Sequence, residues 1–71
     1  MVIKPEYQVF KSMLGQPGAF NTSSLEEARE VFKYFKSDVE AIGNKGDYAI
    51  LYRIWHGRKR IKYYEKGGKE F

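Results

Sequence analysis

Arg53, Trp55, Arg60, Lys62 and Tyr64 are the residues whose types and spacing could do chemistry. That chemistry is recognition of an anion that also carries flat groups. Arginine and lysine hold phosphate or carboxylate, while indole and phenol rings offer faces for stacking. Arg58 and Lys59 add two cations beside a turn, and Leu51 adds an apolar anchor. Eight residues thus form the candidate partner-binding surface: Leu51, Arg53, Trp55, Arg58, Lys59, Arg60, Lys62 and Tyr64. A protein partner, or a second copy of the chain, would be anchored by Trp55, Leu51 and Tyr64, because Trp, Tyr and Arg dominate interface energetics. Single-stranded RNA or DNA would stack on Trp55 and Tyr64 and lay its phosphates on the cations. The plain alternative is a solvated sheet face. The protein partner ranks slightly ahead of nucleic acid, because a net charge of +4 is modest for a nucleic-acid binder.

Catalytic chemistry has little to work with. There is no cysteine and a single histidine, His56, so no Cys/His pair or metal-ligand cluster can be assembled, and no cofactor or metal is expected. His56 adjoins a turn; as a general base it would make the chain a small nuclease, the competing enzyme reading. The stretch from Gly15 to Ser24 could cradle an anion at a helix start, but it lacks the phosphate-loop pattern and is followed by Glu26 and Glu27. It reads better as a strand-to-helix connector. The expectation is a non-enzymatic binding or accessory module. The chain's size suits a phage or mobile-element product, a guess from size alone.

The elements that must position these residues begin with a β-hairpin over Gly46 to Glu65. A tight turn at Gly57-Arg58, or a loop over His56 to Lys59, places Trp55 opposite Arg60, Ile54 opposite Ile61, Arg53 opposite Lys62 and Tyr52 opposite Tyr63. One face then carries Tyr48, Ile50, Tyr52, Ile54, Ile61 and Tyr63. The other carries Leu51, Arg53, Trp55, Arg60, Lys62 and Tyr64. A slip of one residue would mix the faces.

A helix precedes the hairpin. Ser24 with Glu27, or Ser23 with Glu26, forms a capping box. Leu25, Ala28, Phe32, Phe35, Val39 and Ile42 come after it at spacings of three and four and define one apolar stripe. Gly43 and Asn44 supply a left-handed stop. Tyr7 to Leu14 reads as a first strand, with Val2 and Ile3 as an edge extension limited by Pro5. Gly15-Gln16-Pro17-Gly18 breaks the chain.

The expected architecture is one α+β domain over residues 1–71, in the order β-α-β-β. Its three-stranded sheet carries one amphipathic helix on one face, and residues 66–71 form a flexible tail. The helix should pack on the face bearing Ile50, Ile54 and Ile61, burying them with Leu25, Phe32, Phe35 and Val39. The face bearing Arg53, Trp55, Arg60 and Lys62 is then left open. The first strand should lie beside the last one, in an all-antiparallel sheet.

Bulk properties agree with a small binding module. Seventy-one residues allow one modest core, built from five Phe, six Tyr, one Trp and branched aliphatics. A chain this small is marginal alone, which keeps a homodimer in view. Charge is uneven: residues 1–20 sum to +1, residues 21–44 to −2 and residues 45–71 to +5. The positive charge therefore sits on the hairpin and the C-terminal residues beyond it. No stretch approaches the length of a bilayer span, and cysteine is absent, so a cytoplasmic chain without membrane contact is expected.

Overall fold

The computed structural model describes residues 6–54, 57–67 and, as backbone, 69–70. Val2, Ile3, Pro5, Trp55 and His56 lie outside the described residues. The first departure from expectation is at Leu14 and Gly15, whose φ angles are 55° and 75°. Two consecutive positive φ values between the facing residues Met13 and Gln16 make a turn of the type that closes a two-residue β-hairpin. Strand β1 (Tyr7–Met13) therefore folds straight back into β2 (Gln16–Thr22). The stretch QPGAFNT is strand despite its Pro and Gly because β2 is an edge. Ser12↔Pro17 adjoins the closing Met13↔Gln16 pair, so the alternation of the ladder turns the Pro17 nitrogen outward, where no donor is needed.

Helix α1 (Leu25–Ile42) comes next, capped by Ser24. Ser24 Oγ accepts the Glu27 N–H at 3.2 Å, which settles the choice between the two possible caps. Thr22, a buried polar residue, takes part as well. Its hydroxyl accepts the Ser24 N–H at 3.1 Å and donates to the Glu27 carboxylate at 2.5 Å. The helix start is thus satisfied by its own chain.

At the other end Gly43 is extended, with φ −72° and ψ 160°, and donates to Val39 O at 2.9 Å. It is not the left-handed stop the sequence suggests. Glycine is needed there because a Cβ would lie 2.5 Å from the Val39 carbonyl oxygen. The positive φ falls later, at Gly46 (96°). One carboxylate oxygen, Asp47 Oδ2, then accepts from Asn44 N at 2.7 Å and from Leu14 N at 3.1 Å. It ties the helix exit to the β1–β2 turn.

Strands β3 (Tyr48–Ile54) and β4 (Arg58–Glu65) complete the sheet. Where the sequence reads as a tail, the chain turns at Lys66-Gly67, and Lys69–Glu70 pairs with Tyr64–Glu65 as a two-residue β5. The order across the sheet is β2-β1-β3-β4-β5, antiparallel throughout. The domain is α+β as expected, but the order is β-β-α-β-β and there are four long strands, not three. The reason is the hidden hairpin. Because β2 reverses the chain before the helix, β1 pairs with β3 rather than with β4.

The helix lies over β2, β1 and β3. Its Ala28, Phe32 and Val39 close over Val9, Ala49, Leu51 and Tyr64, with Tyr7, Met13, Val31 and Phe35 packed around them. The covered face is therefore the one carrying Leu51 and Tyr64, opposite to the sequence expectation. Counting isoleucines favours the wrong face; fit decides it. Phe32 and Phe35 project from the helix, and Val9 and Ala49 on the sheet are small enough to receive them at interior density. Phe32 and Val39 are buried as expected, Leu25, Phe35 and Ile54 only in part, and Ile42 and Ile61 are exposed. Ile50 is buried, but from the other side of the sheet.

Candidate functional site

The side of the sheet without the helix is built from alternate residues of β2, β1, β3 and β4. Three cross-strand rows define it: Ser12, Tyr48 and Glu65; Phe10, Ile50 and Tyr63; Gln8, Tyr52 and Arg60. Ile54 faces Arg58 beyond them. The rings cover one another. Tyr48 stacks on Tyr63 with centroids 5.9 Å apart and planes at 27°, and Phe10 meets Tyr48 at 6.2 Å. Ile50 lies under these rings and is only 8% exposed although no helix crosses its face. An open sheet face thus protects its own apolar centre with half-buried aromatic residues.

Cations close the far end of this face. Arg60 Cζ lies 5.3 Å from the centre of the Tyr63 ring, and Arg58 Cζ 5.6 Å from that of Tyr52. Both distances are within cation–π range. The arginines reach these rings because the β3–β4 ladder shifts register between Leu51 and Tyr52: Leu51 faces Lys62, but Tyr52 faces Arg60. Ile61 is the extra residue, a β-bulge. On the Glu65 side of the bulge odd-numbered residues of β4 lie on the open face; on the Arg58 side even-numbered ones do.

The near end of the face has a different character. The Tyr63 hydroxyl donates to Glu65 Oε1 at 2.8 Å. Burial raises the Tyr63 phenol pKa, and the hydrogen bond to Glu65 and the negative charge on Glu65 raise it further; Arg60 opposes them. The face therefore grades from a carboxylate at Glu65 to guanidinium groups at Arg60 and Arg58.

The sequence-derived surface is divided by this geometry. Leu51 (0% exposed) and Tyr64 (6%) are core residues under the helix and cannot meet a partner. Arg53, Lys59 and Lys62 lie on the helix side of the sheet, beyond where α1 covers it, with Arg53 directly opposite Lys59. Like charges so placed repel unless an anion lies near. Arg58 and Arg60 lie on the tyrosine side. Trp55, and with it the expected Trp55–Arg60 contact, lies outside the described residues; Arg60 lies over Tyr63. All five cations are exposed, and none forms an ion pair with a carboxylate among the described residues, whose one ion pair joins Lys11 to Asp38 at 3.0 Å.

Phe10, Tyr48, Tyr52 and Tyr63 are not legible in the sequence as site residues because they look like core. The signal that points to them is the number of tyrosines on one strand face: a core seldom needs so many hydroxyls.

Other chemistry is not assembled among the described residues. No group of three or more His, Cys, Asp or Glu could hold a metal ion, and no helix is long and apolar enough to cross a membrane. The Gly15 to Ser24 stretch is strand and cap, with its helix N-terminus already occupied by Ser24 and Thr22. Concavities on the outer face of α1, one lined by Glu30, Lys33, Tyr34 and Ser37, are open and pair no acid with a base of suitable type. In comparison with known proteins the chain matches no family model, no curated protein and no solved structure.

Proposed function

We propose that this chain is a non-catalytic binding module for single-stranded nucleic acid, using the helix-free sheet face and the basic end of the β3–β4 hairpin. The observation that carries this is five exposed cations on β3 and β4 without a carboxylate partner among the described residues, three on the helix side of the sheet and two held over tyrosine rings on the open side. Such cations invite phosphates, and rings and guanidinium planes invite bases. Burial of Leu51 and Tyr64 removes two of the three anchors of the protein-binding alternative and one of the two stacking rings first expected for nucleic acid, but Tyr52 and Tyr63 on the open face supply rings in its place. Nucleic acid therefore moves ahead of a protein partner.

The test is an NMR titration with a short single-stranded oligonucleotide at low and moderate salt. Amide and ring signals of Tyr48 to Tyr63 should move at both salts. Affinity should fall steeply with salt as bound counterions are released. Arg60→Ala should weaken binding and flatten that salt slope. Tyr52→Ala should cost about 1–3 kcal/mol with the slope little changed. No shift at either salt removes the proposal; cleavage of the oligonucleotide, lost on changing His56, replaces it with the nuclease alternative.

One observation favours a second reading. Among the described residues no further element covers the row Phe10, Ile50 and Tyr63, and an aromatic sheet face of this kind also suits a protein partner or self-association. In that case these residues shift with protein concentration, and salt matters little.

A further inference from the structure

The register shift at Ile61 moves side chains from one face of the sheet to the other. A regular ladder continued from Leu51↔Lys62 would set Tyr52 against Ile61, Arg53 against Arg60 and Ile54 against Lys59. Both arginines would then lie on the helix side, and the tyrosine face would end in an isoleucine and a lysine. One extra residue instead carries both arginines to the tyrosine face. Ile61 itself is left 39% exposed, on the stretch of β4 whose outer edge β5 does not reach. A β-bulge and edge cations also discourage sheet-to-sheet association. That role does not require the arginines to sit over tyrosines, since lysines on either face would serve.

We propose that the pairing of Arg60 with Tyr52, which the bulge at Ile61 accommodates, is what builds the site. It sets two guanidinium–ring pairs, Arg58 on Tyr52 and Arg60 on Tyr63, as a platform for two successive nucleotides of a single strand. Each guanidinium offers its outer plane to an unpaired base and its N–H edge to a phosphate. The inference deepens the nucleic-acid proposal and rests on it. A duplex, whose bases are already stacked, cannot use such a platform, so single strands should bind more tightly than duplexes of the same sequence.

The experiment keeps charge constant. Exchange of two neighbours, Arg60→Ile with Ile61→Arg, preserves net charge and composition but takes the guanidinium off the Tyr63 ring. Arg60→Lys keeps the charge and loses the planar fork, and serves if the exchange fails to fold. Either variant should bind a short single-stranded oligonucleotide about ten-fold more weakly, with an unchanged salt slope and no shift of the Tyr63 ring signals on binding. Deletion of Ile61 restores a regular ladder yet leaves Arg60 opposite Tyr52, so it should bind as the unaltered chain does. Wild-type affinity in both Arg60 variants overturns the inference and leaves binding by charge alone. Failure of the unaltered chain to bind at all overturns the underlying proposal with it.

Discussion

The two faces of this sheet solve the same problem differently. On the helix side, small residues at Val9 and Ala49 receive Phe32 beneath α1, and burial is nearly complete. On the other side, Phe10, Tyr48, Tyr52 and Tyr63 lean over Ile50 and remain half exposed. The first face is closed by a second layer; the second closes on itself and stays available. The contrast teaches that a sheet face rich in large aromatic residues need not be a core face. Small residues mark where another element fits.

The largest expected effect breaks the comparison if it fails. Leu51→Ala, on the covered face, should cost about 2–5 kcal/mol in urea unfolding, a large part of the stability of so small a domain. Ile54→Ala, on the open face, should cost only about 1 kcal/mol. Equal losses would mean that the two faces are not distinguished by burial.

A smaller effect sharpens the open face. Tyr48→Leu keeps apolar bulk but removes contacts with Phe10 and Tyr63. It should cost about 0.5–1.5 kcal/mol, read as a lowered melting temperature. An unaltered melting temperature would reduce the ring stack to coincidence.

The smallest effect concerns titration. Tyr63 has a raised pKa, chiefly from burial and then from Glu65. A phenol raised in the folded state contributes stability that is fully present below its unfolded value of about 10. That contribution is lost as pH rises through the folded value. Glu65→Gln should move the Tyr63 pKa, tracked by ring NMR, down toward the ordinary tyrosine value without reaching it, since burial remains. An unchanged pKa would mean that Glu65 does not act on the phenol.

Sequence and structure agree where signals are local. The helix is dictated by its stripe and by Ser24 with Glu27, and it forms over Leu25–Ile42 as those residues require. Strand β2 is hidden because Pro17 and Gly18 oppose a central strand but cost little at an edge. The β3–β4 hairpin is legible as a hairpin, yet its register is not: Tyr63 faces Ile50 and Tyr64 faces Ala49, two residues from the expected Tyr52 and Leu51, and the bulge shifts the pairing once more, so that Arg53 and Ile54 face Lys59 and Arg58 in place of Lys62 and Ile61. Residue type alone points to Arg58 and Arg60, but regular alternation puts Arg60 on the wrong face. Leu51 and Tyr64 mislead for the same reason as the helix-packing face: hydrophobic count carries no information about the shape of what must fit above it. Tyr63 becomes a candidate site residue only once Arg60 is seen over its ring.

The placement of β1 also governs how the chain can assemble. The β1–β2 and β3–β4 hairpins each close through near neighbours in sequence, at small entropic cost. The β1–β3 ladder, from Tyr7↔Arg53 to Ser12↔Tyr48, joins segments that the whole helix separates. Leu14 and Asp47, the hydrogen bond that pins its end, are 33 residues apart. Contacts of that range slow folding, because the chain must close a long loop before they repay it. The seam between β1 and β3 is therefore expected to form after the two hairpins. It is also the line along which two copies of the chain could exchange hairpins at high concentration.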